Sequence, residues 1–112
     1  YELQTYWWDM HDITRNGFTY CAGETDPKKG KEVLKMIDLS SSSAKITCPL
    51  YLQHGMKDDL IPFHQATRLE KEAVNASEVV TQYEPEGIHC CHNLYHTTRL
   101  PMADFLAKHL NR

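Results

Sequence analysis

The sequence lacks an excess of positive charge and a long apolar run, and each lack excludes a class of protein. With 12 Lys and Arg against 15 Asp and Glu, the net charge is −3. That charge provides neither the basic footprint of a nucleic-acid-binding protein nor a polybasic membrane patch. The apolar runs are only a few residues long, too short for a transmembrane span. The 112 residues leave room for one domain.

The sequence also lacks the cysteine pattern of a disulfide-bonded protein. It has four cysteines, two adjacent and two isolated, which is a poor framework for disulfide pairing. We therefore expect a reducing compartment, the cytoplasm. The four are Cys21, Cys48, Cys90 and Cys91.

Residues 1–39 carry the apolar spacing of helices, and residues 40–45 form a Ser-rich linker after them. The first predicted helix ends near Gly17, because glycine enters the left-handed conformation at low cost. Asp26 and Pro27 predict the start of a second helix, since Asp caps free amides and Pro fits the first turn. The predicted apolar faces are Leu3, Tyr6, Trp7, Met10 and Ile13 in the first helix, and Val33, Leu34 and Ile37 in the second.

Residues 46–112 alternate between strand and helix patterns. Residues 49–54 form a short apolar run typical of a buried strand, and residues 78–83 are rich in the β-branched side chains of a second strand. A helix is predicted over residues 63–75, and a last helix starts or kinks at Pro101. This order predicts an α/β fold in which a right-handed crossover joins two parallel strands. The last helix has a predicted apolar stripe of Met102, Phe105, Leu106 and Leu110.

Polar segments follow the two predicted strands, over residues 54–62 and 86–93. In doubly wound sheets, functional groups gather beyond the carboxyl ends of the strands, so we expect the two segments to face each other. An acid in one and a histidine in the other make the orienting half of a nucleophilic triad, in which the carboxylate stabilises the imidazolium that forms. The order of acid before histidine matches that of α/β-hydrolases.

These segments resemble those of one branch of the α/β-hydrolases. Residues 46–55 followed by Asp58 are similar to the seventh strand and acid turn of that fold, and residues 87–94 are similar to its histidine loop. Together they resemble the FrsA-like group, which contains bacterial dihydroxypseudooxynicotine hydrolase and fungal polyketide-shortening hydrolases of pigment synthesis. The likeness covers residues 18–110 loosely and residues 46–94 well.

The resemblance implies hydrolysis of a carbon–carbon bond beside a ketone by a Ser-Asp-His triad under a helical cap. It places the triad acid at Asp58, with Asp59 as the second candidate. It places the triad base at His89, with His92 as the second candidate. The implied partner is a small ketone, polyketide or ester substrate, and no cofactor is expected.

The resemblance also implies a division of the chain. Residues 1–39 correspond to the end of the cap, and residues 46–112 to the C-terminal strands and helices of the hydrolase core. No Gly-x-Ser-x-Gly motif occurs in the 112 residues, so we expect this chain alone to be inactive. Because two parallel strands make no complete sheet and the chain opens with Tyr1, we expect a piece of a longer protein. Its partner would be the N-terminal part of that protein or a second copy of the chain.

Other interpretations of the site residues stay open. Ester or amide hydrolysis is the near alternative, because one triad serves all acyl transfers. A non-catalytic hydrolase remnant is another, and the reading frame upstream of Tyr1 would discriminate: continuation into Gly-x-Ser-x-Gly favours the enzyme. A small zinc-binding module is a third, although the sequence has no second pair of ligands at the spacing usual for structural zinc. The candidate zinc ligands are His89, Cys90, Cys91, His92 and His96.

Two further clusters have both a structural and a functional interpretation. Cys90 and Cys91 are expected to pack as small buried groups beneath the histidine loop. The weaker alternative is that one of the two cysteines is a nucleophile paired with His89. The N-terminal aromatic residues suit either a core or an aromatic substrate pocket. They are Tyr1, Tyr6, Trp7 and Trp8.

Overall fold

The computed structural model describes residues 6–110, which divide into two compact units, one up to Ser41 and one from Ser42. The first unit is helical, and the second contains a parallel sheet with its flanking helices. Among the described residues, no helix is long and apolar enough to cross a membrane.

The described part of the first unit contains two α-helices, α1 (Asp12–Cys21) and α2 (Pro27–Leu34). The predicted start of α2 is confirmed, because the Asp26 side chain accepts a hydrogen bond from the backbone N–H of Lys28, 2.9 Å away. Gly30 of α2 lies against Thr19 of α1, and a Cβ on Gly30 would come within 3.0 Å of that residue. The glycine inside α2 therefore permits close packing of the two helices.

The predicted extent of the first helix is wrong. Residues 6–10 form turns instead, and α1 begins at Asp12 and runs through Gly17, the predicted stop. The left-handed glycine is Gly23, with a φ of 75°. Ile13, predicted on the apolar face, is 88% exposed, and Leu3 lies outside the described residues. The apolar spacing misled because buried residues of a turn and of a helix can share the same intervals.

The core of the first unit forms around Trp7, which is fully buried with Met10 and Leu34. Trp8 is 53% exposed, and the side chains of Arg15 and Lys31 lie over its ring at 5.4 and 5.8 Å from the centroid. The two tryptophans thus have different roles, one in the core and one beneath surface cations. Tyr1 lies outside the described residues.

The sheet of the second unit has two parallel strands, β1 (Leu50–Gly55) and β2 (Val79–Glu84). Their register pairs Leu50 with Val79 at one end and Gly55 with Glu84 at the other. Helix α3 (His64–Glu72) connects the strands, as the predicted strand–helix–strand order requires. Both strands therefore end at the same edge of the sheet, where the two polar segments follow.

The last helix, α4 (Tyr95–Leu110), begins six residues before Pro101, which lies inside it. Proline has no N–H to donate, so one helical hydrogen bond is lost there. Phe105 packs on Tyr51 of β1 with ring centroids 5.2 Å apart. Leu106 and Leu110, predicted in the apolar stripe, are 48% and 73% exposed. Met102 and Phe105 of the predicted stripe are partly buried, as is His109.

Part of the predicted linker is structured. Ser43–Lys45 form one turn of 3-10 helix in the second unit. Ser43 is buried, and its hydroxyl donates a hydrogen bond to the Glu72 carboxylate at 3.2 Å. A serine run adjacent to a packed helix can thus contribute a buried residue despite its polar composition.

Candidate active site

The turn after β1, residues 56–61, holds a carboxylate at its centre. The Asp58 Oδ1 atom accepts hydrogen bonds from the backbone N–H groups of Leu60 at 2.9 Å and Ile61 at 2.8 Å. The Asp58 N–H donates to the Gly55 carbonyl at 3.2 Å. Aspartate favours such turns because its side chain satisfies nearby backbone amides. The same bonds fix the orientation of the carboxyl group.

The turn after β2 carries the histidine, on a short 3-10 segment (His89–Leu94). Cys90 and Cys91 have φ values of 56° and 52°, in the left-handed region that non-glycine residues adopt at a cost. Cys91 is fully buried, and its N–H donates to the Ile88 carbonyl at 2.8 Å. Burial of Cys91 confirms half of the prediction for the cysteine pair. Cys90 is exposed, so the prediction for it is wrong.

Asn93 ties this second turn together. Its Nδ2 donates to the Glu86 carbonyl at 2.7 Å, and its Oδ1 accepts from the Ile88 N–H at 3.1 Å. The side chain therefore bridges the backbone on both sides of Gly87, directly before His89. Sequence reasoning missed this role, because the bonded backbone groups lie five and seven residues before Asn93, beyond the local bonds that asparagine makes in turns.

The two turns lie against each other through a pair of glycines. A Cβ on Gly55 would come within 2.3 Å of the Gly87 carbonyl oxygen, and one on Gly87 within 2.8 Å of the Gly55 Cα. The backbone N–H groups of Met56 and Lys57 cross between the turns, to the carbonyls of Glu84 and Gly87, both at 2.9 Å. Only glycine allows this approach. The two glycines were present in the predicted loops, but their contact was not predicted.

This approach brings Asp58 and His89 together. The Nδ1 atom of His89 lies 3.0 Å from Oδ2 and 3.1 Å from Oδ1 of Asp58. The distances fall within the expected hydrogen-bond range of about 2.6–3.2 Å. The Asp58 side chain is 4% exposed and that of His89 is 38% exposed. The arrangement therefore has a buried acid and a histidine that solvent can reach.

The charge state of Asp58 follows from its surroundings. Burial alone would raise the pKa of the carboxyl group, but the backbone N–H groups of Ile61 and Leu60 and the His89 ring together hold it below its usual value. An ionised carboxylate can only accept hydrogen bonds, so Nδ1 of His89 carries the proton. In the neutral ring, Nε2 is then the basic nitrogen.

The second-choice residues are not brought into this contact. Asp59 and His92 are both exposed, and it is His89 that lies within hydrogen-bond distance of Asp58. Within residues 6–110, no group of three or more His, Cys, Asp or Glu side chains could hold a metal ion. The described part of the chain thus offers no ligand set for the zinc alternative.

A shallow cleft of about 190 Å³ opens beside the Asp58–His89 pair. Ile61 contributes an apolar wall, and the exposed Cys90 lies at its lining. His54 of β1 also lines the cleft, with its side chain only 11% exposed. The cleft is open to solvent next to His89, whose ring is hydrogen-bonded to the buried Asp58 carboxylate.

Parallel strands followed by an acid turn and a histidine turn are part of an α/β-hydrolase fold, and comparison with known proteins supports this class. No protein-family model matches the chain. The curated 2,6-dihydropseudooxynicotine hydrolase of Paenarthrobacter nicotinovorans is 31% identical over 102 residues, which cover 89% of this chain. A crystal structure of 2,6-dihydroxy-pseudo-oxynicotine hydrolase matches 94% of this chain with a TM-score of 0.82 and 28% identity.

The likeness is to one part of a larger protein. This chain spans 27% of the curated hydrolase and 30% of the chain in the solved structure. The fold class predicted from the sequence is confirmed, and the resemblance to the hydrolase group is supported.

Proposed function

We propose that this chain provides the acid and the base of a Ser-Asp-His triad in an α/β-hydrolase. Asp58 is the acid and His89 the base. The proposal is carried by one observation, the 3.0 Å approach of the His89 Nδ1 to the buried Asp58 carboxylate at the carboxyl ends of neighbouring strands. The similarity to a hydrolase of known name supports the same class of reaction.

The two residues would act on a serine that lies outside these 112 residues. Asp58 holds the His89 ring with Nδ1–H towards the carboxylate, so Nε2 takes the proton as the serine oxygen attacks a carbonyl carbon. The imidazolium then returns that proton to the leaving group, and the acyl group stays on the serine. Water then attacks the acyl carbon and gives a proton to the same Nε2, which passes it to the serine oxygen as the bond between acyl group and serine breaks and the acid product leaves. Asp58 stabilises the imidazolium in both halves of the reaction.

We further propose that the bond cleaved is a carbon–carbon bond beside a ketone in an aromatic or polyketide substrate. The support is the likeness to a hydrolase that is named for an oxynicotine derivative. In that reaction the leaving group is a carbanion, which the protonated His89 would quench. Ester or amide hydrolysis is the alternative, since only the leaving group differs.

The first unit fits a part of the cap in this proposal. Its exposed Trp8 and its apolar groove along α1, lined by Thr14, Gly17, Phe18 and Cys21, supply apolar surface of the kind a cap presents. The remainder of the hydrolase, including the serine, would be supplied by sequence outside these 112 residues.

The test uses the longer protein encoded by the same reading frame, in which a Gly-x-Ser-x-Gly segment precedes these 112 residues. His89→Ala should lower kcat by about 10⁴-fold, as removal of a triad member does, with little change in KM. His96→Ala, an exposed histidine of α4, is the matched control and should keep full activity.

Substrate choice is read in the same protein by comparing an aryl ketone with an activated ester. Faster turnover of the ketone supports carbon–carbon cleavage, and faster turnover of the ester supports the alternative. Full activity of His89→Ala together with loss of activity in His92→Ala would assign the base to His92. Activity in both variants would remove the triad proposal.

A further inference from the structure

His54 is a buried imidazole next to the proposed acid that the mechanism above does not use. Its side chain is 11% exposed, and its Nε2 atom is buried with no hydrogen-bond partner. That nitrogen lies 4.0 Å from Oδ2 of Asp58, the oxygen that His89 also approaches. The carboxylate therefore has an imidazole on each of two sides.

The other nitrogen of His54 defines its tautomer. Nδ1 lies 2.8 Å from the Gly55 carbonyl oxygen, which can only accept, so Nδ1 carries a proton. In the neutral ring, Nε2 is then unprotonated and can only accept a hydrogen bond, and it faces Oδ2 of Asp58, which also only accepts. A buried polar atom without a partner is unfavourable, and addition of a proton to Nε2 would convert it into a donor directed at Asp58.

The other titratable groups around His54 do not offer it a competing charge. Tyr83 of β2 is its register neighbour, and burial and the bond from its hydroxyl to Glu70 of α3 raise the pKa of that tyrosine, so it stays neutral. Phe63 packs edge-on against the His54 ring at 5.8 Å. The remaining neighbours across the cleft are His89 and Cys90 on the histidine turn.

We infer that His54 is a second proton-binding residue of this site, placed so that its imidazolium shares the Asp58 carboxylate with His89. The inference rests on the proposed function, because it concerns the strength of the Asp58–His89 pair. His54 would act through Asp58, as a positioning residue. When it takes up a proton, Asp58 is paired from both sides and stabilises a protonated His89 less.

The expected consequence is that the two histidines titrate as a coupled pair. A protein with a single titrating imidazole loses activity towards acid with a slope of one in the logarithm of kcat/KM. With His54 and His89 sharing one carboxylate, uptake of a proton by one lowers the proton affinity of the other, so the slope at mid-titration should fall below one. Activity should therefore be lost over a wider pH range than His89 alone would give.

The test is an NMR titration of this chain labelled with ¹⁵N-histidine, from about pH 8 to about pH 5, the range in which imidazoles titrate. In the wild type, the His54 Nε2 signal should move to the protonated position, and the His89 curve should show two inflections. In His54→Gln, whose amide occupies the Nε2 position without titrating, His89 should titrate in one step. Its midpoint should lie about 1 pH unit higher, the size of coupling typical of interacting sites.

Two further variants make the result decisive. His54→Asn retains a donor near the Gly55 carbonyl and removes Nε2, so it should reproduce His54→Gln if the latter does not fold. His96→Gln, the matched control on the exposed side of α4, should leave both curves unchanged. A His54 that stays neutral in the wild-type titration, or an identical His89 curve in both His54 variants, would overturn the inference.

Asp58→Asn separates this inference from the proposed function. Loss of the carboxylate should move the His89 midpoint to lower pH, because the imidazolium loses its counter-charge. If it does so while the His54 variants have no effect, only the inference about His54 is wrong. If Asp58→Asn leaves His89 unchanged, the Asp58–His89 pair is absent in solution and the proposed triad role is wrong as well.

Discussion

Gly55→Ala tests whether the close approach of two backbones positions the acid–histidine pair. The new methyl group would meet the Gly87 carbonyl oxygen at 2.3 Å and the Ile88 carbonyl oxygen at 2.4 Å, distances that real side chains do not tolerate. The two turns must therefore separate. The backbone hydrogen bonds from Met56 and Lys57 to the other side would be stretched or lost.

The magnitude follows from these two effects. Two backbone hydrogen bonds contribute about 2 kcal/mol, and overpacking of a tight contact costs about 1–3 kcal/mol, so the free energy of unfolding should fall by about 3 kcal/mol or more. Separation of the turns should also lengthen the contact between His89 Nδ1 and Asp58. In a full-length hydrolase that contains this chain, kcat should fall as well, because a hydrogen bond weakens when its geometry changes by a fraction of an ångström.

The assay is urea unfolding followed by far-ultraviolet circular dichroism, with ¹⁵N-histidine NMR of His89 in the folded baseline. Gly17→Ala is the matched control, since a Cβ on Gly17 inside α1 meets nothing within 4 Å. Alanine is the better helix former by about 1 kcal/mol, so that variant should be equally stable or more stable than the wild type. A Gly55→Ala protein as stable as the wild type, with an unchanged His89 signal, would refute the reasoning.

Four other changes have expected outcomes. Because the pKa of folded Asp58 lies below its ordinary value, its contribution to stability is fully present above about pH 4 and is lost as the pH falls through the folded pKa; the difference in unfolding free energy between wild type and Asp58→Asn should shrink in acid titrations. Cys90→Gly relieves a φ of 56° and should stabilise the chain by up to about 1 kcal/mol in urea unfolding, whereas Cys90→Val should destabilise it. Asn93→Leu removes the bridge across Gly87 and should cost about 1 kcal/mol, with faster amide exchange at Ile88; unchanged exchange would contradict the bridging role. Glu86→Gln breaks an exposed ion pair with Lys57 and should change the unfolding free energy by less than about 0.5 kcal/mol; a larger loss would mean that charge helps to join the turns.

The elements that could be predicted from the sequence are those whose pattern and packing agree. The β-branched run before Tyr83 lies in β2, and the apolar run after Pro49 lies in β1, because β-branched and apolar side chains fit the half-buried surface of a sheet. The start of α2 at Asp26 and Pro27 was readable for a local reason, the capping of free amides. The first helix was not, since Trp7 is buried from a turn by contacts distant in sequence.

The residue types of the candidate site could be predicted from the sequence, but the backbone conformation that positions them could not. Strand, turn and residue order predicted that an acid and a histidine would face each other, and the resemblance to the hydrolase group selected Asp58 and His89. The left-handed conformation of Cys90 and Cys91 could not be predicted, because neither residue favours it and only the burial of Cys91 compensates its cost. The partnerless nitrogen of His54 depends on a distance of a few ångströms that no sequence pattern encodes.

The two catalytic candidates are positioned mainly by backbone contacts. The ion pair between Lys57 and Glu86 spans the same two turns, but both side chains are more than half exposed, and water weakens such pairs. At the contact between Gly55 and Gly87, backbone atoms fill the space that a Cβ on Gly55 would need, so no other amino acid fits at that position. A surface change can therefore alter the charge around this site while leaving its geometry intact, whereas a single methyl group at Gly55 should separate the acid from the histidine. This difference in tolerance is what a saturation-mutagenesis experiment on residues 54–58 and 86–89 should measure, with glycine positions intolerant and exposed charged positions permissive.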